Sequence, residues 1–313
     1  MHRIRSFGGL LLLALCLLLA GCASTSSTSS SASTSSPAPA FPTTIDAANG
    51  SLTLEAMPTK IVSLSPTATE LLFAVGAGDQ VAAVDSYSDY PAEAPTTDIA
   101  AYEPNVEAIA AYQPDLVIYT YDPGDLQKSL DKLHIPALMQ PAAVTIDDVY
   151  AQLLQTGQVT GHVTEAQAEV DDLRAQVAAV VADVGDAGTG MTYYYELDDT
   201  YYSLTSDTFV GNLLGQLGLT NIADEAKGAS SGYPQLSGEY IVAANPDLIL
   251  LADTKCCGQD AASVAKRAGW QGLTAVQHGG VVELDDDIAS RWGPRIVQLL
   301  QQVGDAVKEQ AAS

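Results

Sequence analysis

One ten-residue phrase occurs twice in this chain. Residues 107–116 read Glu-Ala-Ile-Ala-Ala-Tyr-Gln-Pro-Asp-Leu and residues 239–248 read Glu-Tyr-Ile-Val-Ala-Ala-Asn-Pro-Asp-Leu, so Glu, Ile, Ala, Pro, Asp and Leu recur at one spacing, 132 residues apart. Two residues before each glutamate stands a helix-capping side chain, Asn105 and Ser237, able to accept from the free first-turn N–H groups. Each proline, Pro114 and Pro246, stops that helix, and the runs that follow, 116–119 and 248–251, are apolar without alternation, as suits a strand buried on both faces. The phrase therefore predicts a short helix feeding a central parallel strand, twice.

Two copies of one unit imply two lobes, with chemistry at the seam between them. Thr43–Ala47 and Ser51–Glu55 flank Asn49-Gly50, which predicts an opening hairpin with a type I′ turn. A strand at 60–64, a helix from Ser65-Pro66 to about Val75 and a strand at 81–84 follow, then the first phrase, a helix near 124–133 and a strand at 135–139. Thr164 and Gln167 read as a capping box, and Ala166, Val170, Leu173, Val177, Val181 and Val184 repeat at helical spacing without Gly or Pro. At 1.5 Å per residue that helix is roughly 30 Å long, enough to connect two lobes. The second lobe repeats the order: strand 191–195, helix 206–217, the second phrase, helix 261–268, strand 281–284 and a last helix from about Pro294 to Lys308. The expected class is α/β, with two lobes, each a mainly parallel sheet flanked by helices, joined by one long α-helix. The expected boundaries are 43–160, 161–188 and 189–313.

His2, Arg3 and Arg5 precede an apolar run from Leu10 to Ala20, the parts of a secretory signal over 1–21 that is too short to span a bilayer comfortably. Its end, Leu19-Ala20-Gly21-Cys22, resembles the lipobox of bacterial lipoproteins, which implies lipidation of Cys22 and an extracytoplasmic protein anchored to the membrane. The Ser/Thr/Pro-rich segment 22–42 has nothing to bury and reads as a disordered tether reaching on the order of 25 Å. A net charge of −25 with 13 basic residues excludes a phosphate-binding surface, so no nucleic-acid partner is expected. Cys256 and Cys257 are the remaining thiols of the mature chain; a vicinal disulfide, two free thiols or a soft-metal pair are the three readings, and metal is the weakest because no histidine lies near.

In a parallel sheet, ligands bind beyond the carboxyl ends of the strands. Those segments are rich in tyrosine: Tyr87 and Tyr90, Tyr119 and Tyr121, Tyr201 and Tyr202, with Tyr102 and Tyr233 just before the repeated glutamates. A tyrosine offers a flat apolar face and a hydrogen-bonding tip, which suits a large amphipathic ligand. After the last strand, Asp285-Asp-Asp-Ile-Ala-Ser-Arg291-Trp292-Gly-Pro-Arg295 mixes acids, arginines and a tryptophan; Asp287 and Arg291, four apart, can serve a ligand or pair with each other. Catalysis is not expected. The chain has no Gly-rich phosphate loop, no Gly-x-Ser-x-Gly elbow and no Cys-x-x-Cys pair, and His134, His162 and His278 sit on unrelated elements, so neither a metal site nor a Ser/His/Asp arrangement has its histidines.

Lys60-Ile-Val-Ser-Leu-Ser-Pro-Thr-Ala-Thr-Glu70, Ser86-Tyr-Ser-Asp-Tyr-Pro91, Asn105-Val-Glu107, Pro114-Asp-Leu116, Tyr233-Pro-Gln-Leu-Ser-Gly-Glu239 and Arg291 to Arg295 together resemble the substrate-binding proteins of ABC importers for cobalamin and ferric siderophores, the class III, helical-backbone periplasmic binding proteins. The resemblance runs from Thr43 to the end and is nearest the cobalamin branch. It implies a monomer that holds a corrinoid, a ferric siderophore of the hydroxamate type or a heme between its lobes and passes it to a permease, with no cofactor of its own. It also implies ligand contacts from Tyr87, Tyr233, Asp287 and Arg291 and permease docking by Glu107 and Glu239; Tyr102, Tyr121, Tyr202 and Trp292, from the loop and strand-end reading above, are the other expected ligand contacts. The chain departs from the cobalamin branch in its opening hairpin, in tyrosines where cleft tryptophans are usual, and in Cys256-Cys257.

Overall fold

The computed structural model describes residues 41–313. The expected signal, the Cys22 lipidation site and the tether as far as Ala40 lie outside the described residues. Phe41 packs against the core, two residues ahead of the expected boundary at Thr43.

Strands β1 (Thr43–Ala47) and β2 (Gly50–Leu54) form an antiparallel hairpin. β3 (Ile61–Leu64), β4 (Val81–Val84), β5 (Leu116–Tyr119) and β6 (Ala137–Met139) make a parallel sheet in the order β4-β3-β5-β6. β7 (Thr192–Glu196), β8 (Thr220–Asn221), β9 (Leu248–Leu251) and β10 (Val281–Glu283) make a second, in the order β10-β9-β7-β8. Taken from its other edge the second order is β8-β7-β9-β10, so each strand holds the place of the strand four earlier. The duplication is one of topology as well as of sequence.

The repeated phrase does in three dimensions what its residues require. Asn105 Oδ1 accepts from the N–H groups of Glu107 and Ala108, both at 3.0 Å, to start the Val106–Ala110 helix; Ser237 Oγ accepts from Tyr240 N–H at 3.1 Å to start Gly238–Ala244. The repeated aspartate has its own task. Asp115 Oδ2 accepts from the N–H and hydroxyl of Thr59 at 2.8 and 2.7 Å, and Asp247 Oδ2 from those of Thr192 at 2.8 and 3.0 Å, so each carboxylate fastens the start of the neighbouring central strand. The Thr59 bonds hold the Asp115 carboxyl below the usual carboxylate range, against the burial that raises it. Asp115→Ala and Asp247→Ala should each cost about 0.5–1.5 kcal/mol, the net worth of such a hydrogen-bonded contact near the surface. Urea unfolding reads this; a change under a few tenths of a kcal/mol in both would remove the aspartates from the account.

Alternate residues of each central strand serve different cores, which is why those strands show no polar alternation. Ile61, Leu116, Ile118, Tyr193, Tyr195, Leu248 and Leu250 belong to one cluster that runs through both halves; Val62, Leu64, Val117 and Tyr119 face a second, and Tyr194, Ile249 and Leu251 a third. The Val163–Val184 helix lies along the shared cluster and buries Ala166, Val170, Leu173, Val177 and Val184. At 22 residues it is about 33 Å long.

Three local expectations are corrected. The hairpin pairs Ala47 with Gly50, so its two-residue turn is Ala48-Asn49, one residue earlier than expected. Asn49 turns away to the sheet edge, donating to Gln127 Oε1 and Ala137 O and accepting from Met139 N–H, and three tertiary hydrogen bonds outweigh a local turn preference. The connecting helix starts at Val163 with His162 as its cap residue, so Thr164 stands inside the first turn and not at the cap position expected of it. It starts early because an unforeseen helix, Ile146–Thr160, ends one residue before at Gly161 (φ 83°) and packs directly against it. That helix carries its own box, Thr145 with Asp148.

Candidate functional site

The carboxyl ends of β3, β4 and β5 open onto a cavity of about 420 Å³. Its floor is the Leu64–Thr67 turn; Asp85, Thr120 and the loop at Ala101 complete the contribution of the first half, and the segment after β10 closes it from the second. Six of the eight residues expected to contact a ligand line it: Tyr87, Tyr102, Tyr121, Asp287, Arg291 and Trp292. Tyr102 stands edge-on to Tyr87, centroids 6.3 Å apart, and stacks on Tyr121 at 5.9 Å. The three rings stay exposed, at 61, 64 and 52 %. A continuous aromatic wall held open to solvent is suited to a broad apolar face with polar edges.

The charged groups of the cavity, Asp85, Asp287 and Arg291, are committed to the protein. Arg291, 9 % exposed, donates Nη1 to Asp89 Oδ1 at 2.8 Å and Glu70 Oε1 at 3.3 Å, and Nη2 to Asp287 Oδ1 and the Tyr87 carbonyl, both at 3.1 Å. Asp287 and Arg291 thus pair with each other while lining the cavity. Trp292 Nε1 donates to Gln152 Oε1 at 3.0 Å, tying the second half to the Ile146–Thr160 helix. Buried Asp85 accepts from Ser88 Oγ at 2.6 Å and Tyr87 N–H at 2.9 Å; burial lifts its carboxyl above the ordinary range despite them. All four arginines of residues 41–313 face protein partners: Arg174 lies over the Tyr150 ring, Arg267 binds Glu196, Arg295 binds Glu70, and Arg291 binds as above.

Tyr202 and Tyr233 are not in the lining. They are exposed, at 41 and 55 %, near an isolated bridge between Tyr202 and Gln235 beyond the carboxyl end of β7. Glu107 and Glu239 are exposed in the first turns of equivalent helices, away from the cavity lining.

The second half carries a buried acid cluster that sequence reading misses. Glu196 at the end of β7 accepts both Nη atoms of Arg267 at 2.5 Å, and Arg267 lies 4.6 Å above the Trp270 ring centroid. Asp253, just past β9, is fully buried, and neither carboxylate oxygen finds a hydrogen-bond partner among the described residues. Burial first, and then the charge of Glu196, push its carboxyl up to about 7. The repeat offset of 132 puts Asp253 where the first half has Tyr121 and Glu196 where it has Leu64. Beside it Cys256 and Cys257 form a vicinal disulfide, and the N–H groups of Thr254, Lys255 and Cys256 converge on the Asp286 carboxylate at 2.8–3.1 Å. Glu70 was missed as well, although an acid between Thr69 and Leu71-Leu72 on a buried helix face has to have a cationic partner.

Against this geometry, the sequence profile of the family described as periplasmic binding protein matches residues 61–288. The chain belongs to the periplasmic binding proteins. It is 30 % identical over 281 residues to an uncharacterized ABC transporter substrate-binding lipoprotein of Bacillus subtilis (YvrC), covering 85 % of this chain and 86 % of the relative. It is 30 % identical over 279 residues to a cobalamin-binding protein of Halobacterium salinarum, covering 85 % and 74 %. The crystal structure of the vitamin B12 binding protein BtuF of Vibrio cholerae superposes with a TM-score of 0.69 at 25 % identity, over 82 % of this chain and 99 % of that one. This periplasmic binding protein is therefore a substrate-binding protein and not an enzyme, with the class III fold of two parallel sheets and a long helix. Among its described residues no group of three or more His, Cys, Asp and Glu is placed to hold a metal ion, and no helix is long and apolar enough to cross a membrane.

Proposed function

We propose that this binding protein captures a corrinoid, with cobalamin as the prime candidate, and delivers it to the permease of an ABC importer. The observation that carries the ligand class is the pairing of an aromatic wall, Tyr87, Tyr102 and Tyr121, with a cavity whose one arginine already has four acceptors. A strongly anionic catecholate chelate needs free guanidinium groups in the cavity, and the arginine that lines it is already committed to protein acceptors. A large, weakly charged ring with polar edges needs ring faces and a few hydrogen bonds, which this cavity has. The cobalamin-binding relative points the same way. In this reading Tyr202 and Tyr233 approach the ligand from the second half, Cys22 carries the lipid that anchors a monomer at the membrane, and Glu107 and Glu239 dock on the permease.

Titrating the purified protein with cyanocobalamin, a ferric hydroxamate (ferrioxamine B), hemin and ferric enterobactin, followed by tyrosine and tryptophan fluorescence, tests the reading. Cyanocobalamin should bind most tightly and enterobactin least. Tyr87→Ala and Tyr233→Ala should each weaken cyanocobalamin at least about tenfold, the loss that about 1.4 kcal/mol of ring contact makes. Tight binding of enterobactin, or titration curves indifferent to both substitutions, would overturn it. A neutral hydroxamate chelate is the second reading, favoured by the β1–β2 hairpin, which is more usual in siderophore binders.

A further inference from the structure

Glu70 reaches the ligand cavity without lining it. It sits on the Pro66–Ala74 helix that begins at the cavity floor, is 3 % exposed, and receives arginines from the far end of the chain. Arg295 donates Nε to Oε2 at 3.0 Å and Nη2 to Oε1 at 2.5 Å, a two-pronged pair, and Arg291 adds Nη1 to Oε1 at 3.3 Å. The backbone of the second half presses against the same group: a Cβ on Gly293 would stand 2.7 Å from Oε2. One buried carboxylate of the first half therefore collects both guanidinium groups of the segment that closes the cavity from the second.

What Arg291 does with its other donors gives this contact a consequence in the cavity. It holds the Tyr87 carbonyl and Asp89, both on the first-half loop that carries the Tyr87 ring, together with Asp287 on the opposite wall. Arg295 lies 4.0 Å above the ring of Tyr90 on the same loop. From within the first half the loop is tied by Ser88 to Thr69 at 2.9 Å and by Ser86 N–H to the Ile99 carbonyl at 2.8 Å; across the seam it is Arg291 and Arg295 that hold it, and the Tyr87 ring itself stays 61 % exposed.

We propose that Glu70 is a positioning residue for the binding cavity: by fixing Arg291 and Arg295 across the seam it sets where the 86–91 loop, and with it the Tyr87 ring, meets the ligand. A ligand finds the aromatic wall already placed, so the ordering cost is met by the fold and not by binding. The inference rests on the cavity being the ligand site. It adds a residue that touches no ligand yet governs the two groups that shape both walls.

Glu70→Gln keeps the size of the side chain and removes the charge. It should weaken cyanocobalamin about tenfold or more, as loss of preorganisation does, while the same change in a background carrying both Arg291→Gln and Arg295→Gln should add nothing, because Glu70 acts through those two arginines. Hydrogen exchange without ligand should rise at residues 85–91 and 286–293 and stay unchanged along Val163–Val184. Gly293→Ala, which crowds the carboxylate without altering a charge, should move both readouts the same way, and it decides the question if Glu70→Gln does not fold. Unchanged affinity, an effect that adds to that of the Arg291→Gln, Arg295→Gln double change, or an exchange increase spread evenly over the chain would each overturn the proposal. If the unaltered protein binds neither cyanocobalamin, ferrioxamine B nor hemin, it is the ligand reading that fails; the exchange pattern alone then decides for or against Glu70.

Discussion

A variant carrying both Glu107→Ala and Glu239→Ala is expected to bind cyanocobalamin as the unaltered protein does and to support almost no uptake of it. The two carboxylates occupy the same position in the repeated phrase, first turn of a short helix in each half, and both project into solvent. Neither has a hydrogen bond or ion pair among the described residues, in a chain where most buried acids are matched. A first-turn acid contributes only about 0.3–1 kcal/mol through the helix dipole, so the double variant should stay folded. A charge-assisted contact at a desolvated interface is worth roughly 1.5–3 kcal/mol, so losing one from each half should cut transport by about a hundredfold or more. Binding titration, thermal melts and uptake by cells depending on the variant separate these effects. Lost binding would move the carboxylates into the cleft, and undiminished uptake would end the docking role.

Asp253→Asn should make the protein more stable at pH 8 than it now is and should flatten the pH dependence of its stability. Asp253 is fully buried without a hydrogen-bond partner among the described residues, near the Glu196 carboxylate whose charge Arg267 already takes up. Burial and Glu196 push its carboxyl from 3.8 up to about 7. The sign follows from proton binding. Below the unfolded value both states hold the proton and there is no penalty; between about 4 and 7 the unfolded chain releases it while the folded chain keeps it, so stability falls as pH rises, and above the folded value the loss is complete. At 1.36 kcal/mol per unit the loss is on the order of a few kcal/mol. The neutral amide avoids it. Urea unfolding of both forms at pH 5, 6, 7 and 8 checks this; a stability that does not fall between pH 5 and 8, or a variant weaker than the parent at pH 8, would refute it.

Asp253 lies outside the cavity lining, at the place in the repeat that the first half gives to Tyr121. The position that carries a cavity tyrosine in the first half carries a buried acid in the second, beside an Arg267 stacked over Trp270. The two halves share strand order and capping while differing in what their strand ends present. The open aromatic cavity belongs to the first half and the segment at Asp287–Trp292, and the corresponding strand ends of the second half are closed by Glu196, Asp253 and Arg267.

The sequence by itself determined the local grammar of this protein: which residues cap and stop helices, which runs are buried on both faces, and that the plan is used twice. Those features depend on interactions within a few residues, and Asn105, Pro114, Ser237 and Pro246 act much the same wherever the unit is placed. The six cavity residues could be named because strand ends in a parallel sheet converge whatever the details. Only the tertiary structure decided which cation meets which anion. Glu70 and Arg295 are 225 positions apart and Glu196 and Arg267 are 71 apart, and no local pattern joins them. The Asn49 side chain reaching from the turn to the β6 edge, and Asp253 without a hydrogen-bond partner among the described residues, are settled the same way, because burial makes a polar group's choice depend on whichever elements the fold brings beside it.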